Sequence, residues 1–256
     1  MSAYTHLHAS QEKIKRAQSK LTYITSAINA YLQSSPVSIR IEKHPDGAYV
    51  IACVDKLPPD DLAWEVTEAV GHLRDSLDKL LVDLVELNGR GVSGVGFPFG
   101  GLDRNTGKPL PFPSARHDHI KQKLTAEQWT LIEAQKPYPG GNDTLWAVNE
   151  IANADKHRKG LVTVRPKLSG SLGIGSGYGM SLTRKPEHNS VLKDKEREQV
   201  LVVVSGHGQQ HIHPNAAPIV IFGDIMPVQG KDILVTLTQQ VALIESIIEI
   251  FGGAFF

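Results

Sequence analysis

The sequence predicts an α+β protein, a layer of about five helices with a small antiparallel β-sheet packed on one side, folded as a single domain over residues 1–256. Three observations carry this. Leu62, Val66, Val70, Leu73, Leu77, Leu80, Leu84 and Leu87 recur at three- and four-residue steps, the mark of a long helix with one apolar face. Five short runs, near residues 37–42, 48–54, 161–166, 199–205 and 217–222, are β-branched or alternate apolar with polar, as strands do. The closing stretch, 231–251, sets Ile233, Leu237, Val241, Ile244, Ile248 and Phe251 on one stripe, widened by Leu234, Ile247 and Ile250. The length allows a substantial core without forcing a second domain.

Taken in order, residues 5–33 form a helix with Leu7, Ile14, Ala17, Leu21, Ile24, Ile28 and Leu32 on one side and Glu12, Lys13, Lys15 and Lys20 on the other; Ser34-Ser35-Pro36 stops it. The two runs around His44-Pro45-Asp46-Gly47 read as a hairpin. The long helix covers 59–88, with Asp60 and Asp61 suited to its positive end and Asn88-Gly89 offering a left-handed exit. Residues 88–114 are rich in Gly and Pro, include Phe97-Pro98-Phe99, and form a loop long enough to be functional or mobile. Thr125 and Gln128 make a capping-box pair for a helix over 125–136, and Asn142 or Asp143 caps another over 143–158. The alternating glycines of 173–179 fit neither the dinucleotide nor the P-loop fingerprint, and no helix follows them, so the sequence specifies no cofactor.

Composition narrows the partners. Lys+Arg and Asp+Glu both number 27, so net charge does not indicate nucleic acid. Cys53 is the one cysteine, which excludes an internal disulfide; it lies in an apolar run, reads as a buried thiol, and points to a reducing, cytoplasmic compartment. The first residues lack a basic-then-apolar secretion pattern. The last helix is broken by Glu245 and Glu249 and falls short of the roughly 20 apolar residues a membrane span needs, so it reads as a core helix.

The polar residues inside helices carry the functional reading. On the long helix Arg74 and Asp78 occupy a stripe with Thr67 and Gly71, interleaved with Leu81 and Val85. On the helix over 143–158, Asp155 continues the stripe of Leu145, Val148 and Ala152, beside Lys156, His157 and Arg158. A buried carboxylate needs a partner, and the forked guanidinium of Arg74 suits Asp155. Structurally this is an ion-pair network docking two helices, with Lys156, His157 and Arg158 favoured by the negative helix end. Catalytically, His157 is the acid/base, Arg74 and Arg158 bind an anion, and Asp155 or Asp78 orients the imidazole.

Leu73-Arg74-Asp75-Ser76-Leu77-Asp78-Lys79, followed downstream by Leu145-Trp146 and Asn153-Ala154-Asp155-Lys156-His157-Arg158, resembles a family of uncharacterised bacterial proteins. Its members carry Leu-Arg-Ser-Ala-Leu-Asp-His on one helix, a Phe-Pro segment after it and Asp-Lys-His-Arg on another. The resemblance implies an α+β or helical fold and no established activity; Lys79 stands where that family has histidine, which weakens a dyad built across the two helices. The Arg-to-His spacing of the HEPN ribonucleases is absent from every predicted helix.

His211 and His213 project to one side if their segment is extended, and two such imidazoles can chelate a metal. The segment is similar to the cupin histidine pair, but the spacing from Gly206 is one short and no glutamate follows; a solvated hairpin tip is the competing reading. His117-Asp118-His119 reads as surface polarity, and Trp64, Trp129 and Trp146 as core anchors. With no complete catalytic set, the first expectation is a soluble, non-enzymatic bacterial protein that binds a small molecule or another protein. A hydrolase of nucleic acid or another phosphate ester, using Arg74, Asp155, His157 and Arg158, comes second; a metal-binding module on His211 and His213 comes third.

Overall fold

The computed structural model describes residues 6–45, 47–103, 105–154, 161–169, 181–183, 198–205 and 215–256. They form an α+β fold of helices α1 (His8–Gln33), α2 (Leu62–Leu87), α3 (Asp118–Lys121, entered through a 3₁₀ turn Ala115–His117), α4 (Ala126–Ala134), α5 (Asp143–Ala152) and α6 (Ile233–Phe255). The strands are β1 (Val37–His44), β2 (Gly47–Val54), β3 (Val162–Ser169), β4 (Ser181–Thr183), β5 (Glu198–Ser205) and β6 (Asn215–Phe222).

α2 is the centre of the helical layer. Leu62, Val66, Val70, Leu73, Leu77, Leu80 and Leu84 are all fully buried, and burying each leucine contributes about 1.5–3 kcal/mol. α1 lies antiparallel along it. The pairing descends from Ser76 Oγ, which donates to the Ser10 carbonyl at 3.0 Å, through Lys13 and Asp75 at 2.5 Å, to Lys20, which sits 2.7 Å from both Glu65 and Glu68. α6 runs antiparallel to α1 in turn, with Gln18 Nε2 donating to Glu245 Oε1 at 2.6 Å and the His6 ring stacked on Phe256.

The exit of α2 is a Schellman turn: Gly89 adopts φ +64°, its N–H bonds the Glu86 carbonyl at 2.8 Å, and the Arg90 N–H bonds Val85 at 3.1 Å. α4 opens with the capping box of Thr125 and Gln128, whose reciprocal bonds measure 3.2 and 3.0 Å. Asn142, not Asp143, caps α5, accepting from the Leu145 N–H at 3.1 Å.

The strands divide into two antiparallel sheets. One has the order β1-β2-β5-β4; the other pairs β3 with β6, Val162 opposite Phe222. His44 pairs with Gly47, the last pair of the β1–β2 hairpin that the sequence predicts around this stretch.

Several details differ from the sequence reading. α5 stops at Ala152 with Asn153 as its C-cap, short of residue 158. α6 continues through Gly252 and Gly253 to Phe255, with Gly252 beside Leu7 at the start of α1. Leu87 is 46 % exposed, since Ser10 near the start of α1 already lies opposite Ser76 and α1 has run out before α2 ends. Trp64 is 40 % exposed because Leu62 and Val66 point inward and the residue midway between them points away. Trp129 and Trp146 are buried as expected, whereas Cys53 is only partly buried. Among the described helices α6 is the one long and apolar enough to cross a membrane, and its inward face packs in the core.

Candidate functional site

The polar residues of α2 meet α5 and the loop between α2 and α3. Arg74 Nη1 donates to Asn149 Oδ1 on α5, and its guanidinium carbon lies 5.3 Å from the centre of the Phe99 ring, a cation–π contact. Its Nε is 4.0 Å from Asp78 Oδ2, a loose pair, with 26 % and 33 % of the two side chains exposed. Arg74 therefore does bridge α2 to α5, through the amide of Asn149, six residues before Asp155 in the sequence.

Asp78 is occupied with the loop. Its Oδ1 accepts the Phe97 backbone N–H at 2.7 Å. Burial raises the carboxyl's proton affinity, opposed by the Phe97 N–H and the Arg74 charge. Asn149 is fixed on both sides: its Oδ1 also accepts from Asn153 Nδ2 at 3.0 Å, and its Nδ2 donates to Glu150 Oε1 at 2.9 Å.

Phe99 links this cluster to a second one. Its carbonyl accepts from Arg116 Nη2 at 2.7 Å and lies 3.2 Å from His117 Nε2. Both ring nitrogens of His117 are engaged: the Ser114 N–H points at His117 Nδ1 and the Arg116 Nε–H at His117 Nε2, each at 3.1 Å. Burial holds His117 below the ordinary histidine range, opposed by the Phe99 carbonyl and assisted by the Arg116 charge. Phe112 stacks between His117 and Tyr138, at 5.0 and 5.3 Å. Gly100 closes the arrangement; a Cβ there would fall 2.2 Å from Tyr138 Cβ.

Of the predicted site residues, the structure brings Arg74 and Asp78 together, while Asp155, His157, Arg158, His211 and His213 lie outside the described residues. Phe99, Asn149, Arg116 and His117 are additions. The reading of His117 as surface polarity is corrected: it is buried, because a capping turn folds it under the Phe99 carbonyl. Asn149 was legible in principle, spaced four residues before Asn153 on one helix face. Among the described residues no group of three or more His, Cys, Asp or Glu is placed to hold a metal ion. Comparison with protein-family models, with curated proteins and with solved structures gives no match to this chain.

Proposed function

We propose that this chain is a soluble, non-enzymatic binding protein whose site is built on Arg74 and takes an anionic group, a carboxylate or a phosphate. One observation supports this above the others: the guanidinium rests on the Phe99 ring, is a quarter exposed, and has its nearest described carboxylate 4.0 Å away. A guanidinium engaged by a structural carboxylate is held by two parallel bonds near 2.8 Å, about 1 Å shorter than this contact. The balanced composition and single cysteine favour the cytoplasm, and the resemblance of its helix motifs to a bacterial family favours a bacterial setting.

Catalysis is the weaker reading because the described residues beside Arg74 are already committed. Asp78 Oδ1 holds the Phe97 N–H, and both ring nitrogens of His117 are engaged, Nδ1 by the Ser114 N–H and Nε2 by the Arg116 Nε–H. One feature favours a phosphate-ester hydrolase as the second reading: Asp78 has raised proton affinity next to a cation, the setting of a general acid or base.

Isothermal titration of inorganic phosphate and of succinate into the wild type and into Arg74→Gln tests the first reading. Binding by the wild type, weakened at least roughly tenfold in the variant while its melting stays cooperative, is expected from loss of a charged hydrogen-bond donor. Absence of binding by both anions, or equal binding by the variant, overturns it. Turnover of RNA or p-nitrophenyl phosphate that is lost in Asp78→Asn would favour the hydrolase.

A further inference from the structure

At one end of the helical layer three elements converge on Asp83 of α2. His6, just before α1, acts on it through its charge and stacks on Phe256, with ring centroids 5.3 Å apart and planes at 25°. The last turn of α6 reaches the same end of the layer, with Phe256 on the His6 ring and Gly252 beside Leu7. Within this junction Asp83 Oδ2 is enclosed and, among the described residues, has no hydrogen-bond partner. The charged groups that face it are His6 from the start of α1 and Glu86 and Lys79 from α2 itself; among the described residues α6 adds none.

Enclosing a carboxylate oxygen without a donor favours the neutral acid, because the ionised form gives up water at that oxygen and gains no hydrogen bond in return. We propose that Asp83 is an acid-operated latch: protonated, it lets the start of α1 and the end of α6 pack on α2, and ionised, it loosens that end of the bundle. Burial, then the neighbouring Glu86, push the carboxyl up from 3.8 to about 6, while His6 and Lys79 pull it down. Between about pH 4 and about pH 6 the folded chain therefore holds a proton that the unfolded chain lacks. The stabilisation is complete below about pH 4 and is lost as the pH rises through about 6. This device does not depend on the Arg74 site.

Hydrogen exchange read by mass spectrometry, corrected for intrinsic rates, tests it at about pH 5 and about pH 7.5. In the wild type, protection of the first turn of α1 and the last turn of α6 should fall roughly tenfold at the higher pH, with the middle of α2 unchanged. Asp83→Asn, neutral and of the same shape, should keep the low-pH protection at both values. His6→Gln removes a charge that favours ionisation and should move the midpoint upward. Wild-type protection that ignores pH, a pH response retained in Asp83→Asn, or an unmoved midpoint in His6→Gln overturns the proposal.

Discussion

Two substitutions of Asp78 separate what its oxygen does from what its charge does. Phe97 is buried, and its N–H is satisfied by Asp78 Oδ1 at 2.7 Å. Asp78→Ala leaves that donor unanswered, and removing a hydrogen bond to a charged acceptor costs about 1.5–3 kcal/mol. For a chain of this size that lowers Tm by about 4–8 °C. Asp78→Asn keeps an acceptor oxygen in place, removes a charge that burial disfavours, and gives up an attraction to Arg74 across 4.0 Å between two partly exposed side chains. Such a pair contributes about 1 kcal/mol or less, so the Asn variant should stay within about 1 kcal/mol of the wild type. Urea denaturation of both variants at neutral pH is the assay. If Asn falls as far as Ala, the charge anchors the loop, and the view of Asp78 as a backbone acceptor fails.

Two other substitutions probe the packing around the site and the core. Gln240 is fully buried on α6 and neither amide atom has a partner among the described residues, so Gln240→Met, similar in length and apolar, should raise stability by about 1–3 kcal/mol in a thermal melt; a loss would show that the amide has a partner in solution. Gly100→Ala forces a methyl into Tyr138 and should cost about 1–3 kcal/mol by circular-dichroism melting, with no cost if the loop between α2 and α3 yields freely.

The sequence was most readable where one local rule and the tertiary fold agree. The stripe from Leu62 to Leu84 is buried as its spacing says, and Asn88-Gly89, Thr125 with Gln128, and Asn142 end or start helices by their own side-chain and backbone bonds. Leu87 and Trp64 show where periodicity stops informing, since exposure depends on how far a neighbouring helix reaches. The stretch read as either functional or mobile is held by contacts no pattern announces: Lys123 Nζ donates to the carbonyls of Gly91 and Ser93 at 2.8 and 2.7 Å. At the site, Arg74 and Asp78 stood out as charges on an apolar helix. Phe99 and His117 did not, because their roles rest on a backbone carbonyl that sequence cannot aim.

Phe99 touches both clusters. Its ring supports the Arg74 cation, and its carbonyl accepts from Arg116 and lies 3.2 Å from the His117 imidazole. An occupant of the cation that shifts the Phe99 backbone carries its carbonyl with it, and the imidazole sits 3.2 Å from that oxygen. The resonances of His117 are thus a built-in gauge of what happens at Arg74, readable by someone who has not yet identified what goes there.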